Sequence, residues 1–147
     1  MLPLTIIVNQ KIGEWRDRVE KEIESAEKWV NQIIIQTYEQ SKIKAENCGI
    51  CGCTDRKREQ HHVAGRKHDY RIITVCTECH DELTRRQKLW DARWWKENQP
   101  DNVKQAFLIQ GIHDILELRA KKTGDSNYAK LAAYFVNYIS ALRREQR

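Results

Sequence analysis

Two C-x2-C pairs, Cys48 with Cys51 and Cys76 with Cys79, bracket a segment that carries two adjacent histidines, His61 and His62, and the second pair is followed at once by His80. This separation lets the two knuckles close on one tetrahedral four-thiolate zinc site. Gly52 follows the second cysteine of the first pair, where a knuckle turns sharply and a backbone N–H can point at a sulfur. Cys53 is left over, as a free thiol or as an alternate ligand in place of Cys51. A structural zinc needs none of the three histidines, so their placement beside the cysteines asks for a second explanation.

The wider composition bounds the class of protein. A chain of 147 residues with 32% charged and 40% hydrophobic residues suits one globular domain, or a small core with helical additions. No apolar run reaches the roughly 18 to 20 residues of a membrane span. Leu2 to Val8 is apolar but short, has no basic segment before it, and runs into Asn9, Gln10 and Lys11, so it does not read as a signal peptide. With four of the five cysteines in C-x2-C pairs, metal thiolates in a reducing compartment are expected over disulfides, and a cytoplasmic, non-secreted location with them.

Charge is unevenly placed. Between residues 42 and 71 the chain carries Lys42, Lys44, Arg56, Lys57, Arg58, Arg66, Lys67 and Arg71 against Glu46, Asp55, Glu59 and Asp69, which accounts for +4 of the net +5. A basic surface around a metal cluster suits a polyanion such as nucleic acid.

Periodicity predicts a largely helical chain. Ile12, Trp15, Val19, Ile23, Ala26, Val30, Ile33 and Thr37 recur at three- and four-residue steps, so one amphipathic helix is expected from Lys11 to about Ala45. Such a helix must bury its stripe on the C-terminal helices or on a second copy of itself, with Trp15 and Trp29 as packing residues. Gln60–Val63 and Arg71–Val75 are the strand candidates, joined by a turn at Gly65. A helix is expected from about His80, continuing over Asp81 to Lys96. Its Leu83, Trp90 and Trp94 would dock on the N-terminal helix, with Trp95 exposed. The alternative lays its basic and indole side chains along a nucleic-acid groove. Asn98-Gln99-Pro100-Asp101-Asn102 is the clearest break, with Asp101 expected to cap a helix over Asn102–Lys122. Gly111 either weakens that helix or permits close packing, and His113 reads as a helix-face residue. A final helix carries Tyr128, Leu131, Phe135, Ile139 and Leu142, and its basic end, Arg143, Arg144 and Arg147, suits a helix C-terminus.

His61-His62-Val63-Ala64-Gly65-Arg66, a short β-like run, and Cys76-Thr77-Glu78-Cys79-His80 resemble the ββα-metal motif of HNH endonucleases, in the subgroup pinned by a four-cysteine zinc. The resemblance covers about a quarter of the chain. It implies a small ββα-metal, treble-clef-like motif within the segment 47–97; the flanks carry no resemblance, and their periodicity makes the whole a mainly α protein with a long N-terminal helix (1–46) and a C-terminal helical pair (98–147) packed around that motif. The resemblance further implies that His62 is the general base, that His61 and His80 hold a catalytic divalent metal (Mn2+, Ni2+, Zn2+ or Mg2+), and that double-stranded DNA, with RNA as the alternative, is nicked or cut to 5′-phosphate and 3′-hydroxyl products. Adjacent strand residues point to opposite faces, which agrees with separate roles for His61 and His62. Imidazole suits the base because its unperturbed pKa of about 6.5 leaves it neutral near pH 7.

Three departures from the family pattern stand out. The asparagine that steadies the base is missing, Arg71 lies near its place, and His68 or Asp69 is left to orient His62. Two imidazoles replace the common Asp-plus-His pair, which leans the site toward zinc, nickel or manganese. Thr84 occupies the position of a further histidine ligand in the colicin-type members. Arg66 and Lys67, on the loop beside the base, are candidates to clamp a phosphate or simply face solvent, and Arg71, Arg85 and Arg86 extend the candidate nucleic-acid surface. The other functions compatible with these residues are a zinc-stabilised nucleic-acid-binding module without chemistry, and a helical assembly protein stapled by its zinc hairpin. A homodimer through the long N-terminal helix is compatible with each.

Overall fold

The computed structural model describes residues 3–39 and 47–144, with residues 33–39, 137, 138 and 140–144 described by their backbone only. The described residues form four helices and one two-stranded sheet. They are α1 (Leu4–Glu39), β1 (Arg58–His62), β2 (Ile72–Cys76), α2 (Thr77–Gln87), α3 (Asp101–Thr123) and α4 (Ser126–Arg144), with a short 3-10 turn over Ala92–Trp95. No helix among the described residues is long and apolar enough to cross a membrane.

α1 begins earlier than its apolar stripe suggests, because Pro3 starts it. The carbonyl of Pro3 accepts from the N–H groups of Ile6 and Ile7, and nothing in Leu4–Gln10 breaks a helix. The expected continuation to Ala45, with Lys42 and Lys44, falls outside the described residues. Along the stripe, Ala26 and Val30 are buried against Leu116 of α3 and Leu131 and Ala132 of α4. Trp29 meets Tyr128 edge-on at 5.0 Å and lies under the guanidinium of Arg119 at 4.4 Å. Trp15 departs from expectation, being 57% exposed along with Leu4, Ile6, Ile7, Val8 and Ile12. The reason is length: at 1.5 Å per residue α1 runs about 54 Å and α4 only about 28 Å, so one end of α1 outruns its partner.

β1 and β2 pair antiparallel, with Glu59 opposite Val75 and His61 opposite Ile73, two residues off the expected start of β1 and one off that of β2. α2 starts directly after Cys76, earlier than expected, so the second cysteine pair is the junction of strand and helix. The cysteines are part of the main core. Cys48, Cys76 and Cys79 pack with Ile50, Val63, Ile73, Val75, Leu83, Ile115 and Leu118, uniting the first knuckle, the sheet, α2 and α3. Where α3 crosses the end of β1, a Cβ on Gly111 would meet the Val63 carbonyl oxygen at 2.0 Å. Gly111 is therefore a close-packing residue.

The single helix expected over 81–96 is two elements. α2 ends at Gln87, and after a turn the carboxylate of Asp91 caps the 3-10 segment by accepting from the Arg93 N–H and pairs with its guanidinium. This break also changes the docking. Instead of lying on α1, Trp90 stacks on Phe107 of α3, its ring 5.9 Å away and within 2° of parallel, and donates to the buried Asp114 at 2.9 Å. Asp101 is likewise the first residue of α3 and not its cap; Pro100 holds the cap position, with no side-chain bond. Asp125 caps α4 by accepting from the Asn127 N–H at 3.0 Å.

Candidate metal centre

The sulfurs of Cys48, Cys51, Cys76 and Cys79 all lie within 4.8 Å of one another. Four sulfurs on a zinc–thiolate bond of about 2.3 Å stand about 3.8 Å apart in a tetrahedron. Cys51 and Cys76, which reach across from the two knuckles, are 3.8 Å apart. The backbone N–H groups of Ile50 and Cys51 point at Cys48 Sγ, each at 3.4 Å. Gly52, at φ +77°, makes the turn that aims them. The thiol of Cys79, donating to Cys48, holds Cys48 down to about 4 and is itself pushed up. These four residues could hold a metal such as zinc. Cys53 lies outside the group; its carbonyl accepts from the Cys48 N–H, and burial with the neighbouring Cys51 and Cys76 sulfurs pushes its thiol up to about 12.

The histidines sit on the sheet as strand alternation requires. His61 is 4% exposed and His62 only half-buried. α2 brings His80 back so that its ring stands edge-on to that of His61, with centroids 5.4 Å apart. Burial, and after it the neighbouring His80 and His62, push His61 down to about 3. Burial and then Arg66 also lower His62, which keeps its imidazole neutral and basic at pH 7.

Sequence reasoning missed two acidic neighbours. Glu59 lies two residues before His61, hence on the same face of β1, and its carboxylate approaches His80 Nδ1 to 3.2 Å, with Asp81 at 3.8 Å. Glu59, His80 and Asp81 offer ligand atoms within 4.8 Å of one another. His80 Nδ1 is buried without an aligned hydrogen bond, although two carboxylates surround it. A nitrogen and two carboxylate oxygens converging in this way fit a divalent cation, and the E-x-H spacing ahead of His62 was the available signal. Gln87 was also missed. It is buried at the end of α2 and donates to the carbonyls of His62, at 2.9 Å, and Val63, at 3.3 Å, fixing the backbone that carries His62.

The residues expected to orient His62 are engaged elsewhere. His68 donates through Nε2 to the Trp94 carbonyl at 2.7 Å, and Asp69 binds the backbone and guanidinium of Arg71. Arg71 is thereby ion-paired. Arg85 pairs with Glu82 and Arg86 with Glu82 and Glu117, the last tying α2 to α3. Arg66 and Lys67 stay exposed on the hairpin loop. His113, on α3, pairs with Asp114 at 2.9 Å, away from the hairpin histidines. The end of α4, with Arg143 and Arg144, carries no described side chains, and Arg147 lies outside the described residues.

Comparison with family models, with curated proteins and with solved structures returns no match.

Proposed function

We propose that this chain is a metal-dependent DNA endonuclease of the HNH type, with a zinc on Cys48, Cys51, Cys76 and Cys79 holding a ββα-metal, treble-clef-like motif together. The observation that carries this reading is the juxtaposition at the sheet edge. His61 and His62 face opposite ways on β1 while α2 returns His80, ring to ring, to His61. His62, half-exposed at the end of the strand, takes the proton of a water attacking the scissile phosphate. Gln87 holds the backbone of that base in place. Arg66, exposed directly after the turn in which the Gly65 N–H donates to the His62 carbonyl, offers its guanidinium fork to a phosphate oxygen. The resemblance gives the catalytic Mn2+, Ni2+, Zn2+ or Mg2+ to His61 and His80; the ligand atoms that converge are those of Glu59, His80 and Asp81, so His80 with these two carboxylates would hold it, and His61 packs against the His80 ring. Such a cation, when bound, supplies charge neutralisation at the phosphate and at the leaving 3′ oxygen.

Supercoiled plasmid is the first substrate to test, with each of the four metals added in turn. Wild-type protein is expected to nick or linearise it, and His62→Ala, at matched folding and bound zinc, to lose about 10²- to 10⁴-fold in rate, the usual worth of a general base. Equal cutting by the variant would remove His62 from the role. The engagement of His68 and Asp69 away from His62 favours a second reading, a zinc-stabilised DNA-binding module without chemistry. Salt-sensitive DNA binding with no cleavage under any metal would select it.

A further inference from the structure

Beside the proposed base lies a slot that the metal centre does not use. It measures about 180 Å3 and is lined by Gly65, Arg66, Lys67, His68, Trp94 and Trp95. A cavity of about 150 Å3 accepts a benzene ring, so one planar ring fits here. The walls are tied to each other. The indole of Trp94 donates to the Ala64 carbonyl at 3.0 Å, His68 donates to the Trp94 carbonyl, and Lys67 Nζ donates to the Trp95 carbonyl at 3.0 Å. A Cβ on Gly65 would meet the Trp94 indole nitrogen at 2.6 Å, so only glycine lets that indole lie flat against the loop. Trp95 remains 52% exposed and stands edge-on to Trp94 at 4.9 Å. Its ring is the free surface of the slot.

The rim identifies the occupant. Arg66 is exposed, and the Lys67 ammonium has three donors, of which the Trp95 carbonyl takes one. Two cations above indole walls fit a flat ring that carries an anion, which describes a nucleotide better than an apolar side chain. The Gly65 N–H donates to the His62 carbonyl at 3.1 Å, so the slot begins one turn from the proposed base. A base stacked and paired inside a duplex cannot enter such a slot; one outside the stack can. We propose that the slot formed by the 65–68 loop and Trp94–Trp95 takes one unpaired nucleobase of a DNA strand, seating the adjoining phosphate at Arg66 beside His62. The identity of that strand as substrate rests on the nuclease reading; the occupancy of the slot does not.

The test is fluorescence anisotropy with the full zinc-loaded chain and no second metal added. Labelled DNA of one length is supplied as single strand, as perfect duplex, and as duplex with one unpaired base. Wild type binds the unpaired forms more tightly than the perfect duplex. Trp95→Ala loses about 5- to 150-fold on the unpaired forms, the worth of one base on an aromatic face, and keeps its affinity for the perfect duplex, while Trp95→Phe keeps most of both. Equal wild-type affinity for all three DNAs, or an equal loss on all three in Trp95→Ala, overturns the slot. If no DNA binds, the slot and the nuclease reading both fall. If plasmid is never cut but the Trp95-dependent preference is present, the slot stands and only the chemistry is lost.

Discussion

At Gly111 two residue-level effects oppose each other, and their sizes decide the outcome. Alanine is a better helix former than glycine by about 1 kcal/mol in a helix interior. The added methyl, however, would enter the Val63 backbone, 2.0 Å from its oxygen and 2.7 Å from its carbon, and overpacking of this kind costs about 1–3 kcal/mol. Because backbone yields less readily than a side-chain tip, Gly111→Ala is expected to lower the melting temperature. Gly13→Ala, with nothing within 4 Å of the new methyl, is expected to raise it slightly. Thermal unfolding followed by circular dichroism checks both, and a Gly111→Ala protein as stable as wild type would mean that α3 does not press on Val63. The same local logic explains His61 and His62. Period-two alternation was enough to predict their separation, and it also puts Glu59 beside His61, a consequence that is plain only once His80 is seen to return to that face.

Among the elements, the paired knuckles and the hairpin depend on one another. The first knuckle gives its Gly49 N–H to the Thr74 carbonyl of β2 at 2.8 Å, and Cys76 and Cys79 span the join of β2 and α2. Binding of a structural zinc to a small domain is folding energy, about 10–16 kcal/mol in zinc-finger peptides. Cys48→Ser and Cys51→Ser are therefore expected to lose bound zinc and to unfold the 48–87 segment at ordinary temperature, whereas Cys53→Ser keeps both. Metal content by mass spectrometry, read with circular dichroism, separates the cases; zinc retained in Cys51→Ser and lost in Cys53→Ser would reassign the ligand. The break after α2 was not legible in the sequence, because the apolar residues on either side of it keep helical spacing. The helix gives way to a tight turn in which the Leu89 and Trp90 N–H groups donate to the Arg86 and Gln87 carbonyls, the Asp91 carboxylate then starts the 3-10 segment, and what orients the following tryptophans is Phe107 and Gly65, both remote in sequence.

For the molecule as a whole, the exposed apolar end of α1 is the surface that the proposed dimer would cover. Ile12 and Trp15 continue the stripe that buries Ala26 and Val30, and Trp15 flanks a groove with Val19, Ile23, Ala133 and Tyr134. A second copy offers the same unburied stripe, and a two-fold pairing of α1 helices would cover both. Static light scattering is expected to give twice the chain mass, and Ile12→Asp with Trp15→Asp to return it to one; a monomeric wild type would end the dimer proposal.

The two C-x2-C pairs and the opposed histidines were legible in the sequence itself, because the spacing within each pair and strand alternation are local geometry; that the pairs meet was an expectation from their chemistry, which the fold then brought together. The helical stripes were local in the same sense, and α3 and α4 follow them closely, whereas α1 begins seven residues before its expected start and α2 stops short of its expected end. Tertiary structure alone decided that Glu59 and Asp81 crowd His80, that Gln87 grips the carbonyl of His62, and that Trp94 and Trp95 close a slot over the 65–68 loop. Each of these needs two segments far apart in the chain to meet, and periodicity shows which face a residue occupies without showing what that face will find.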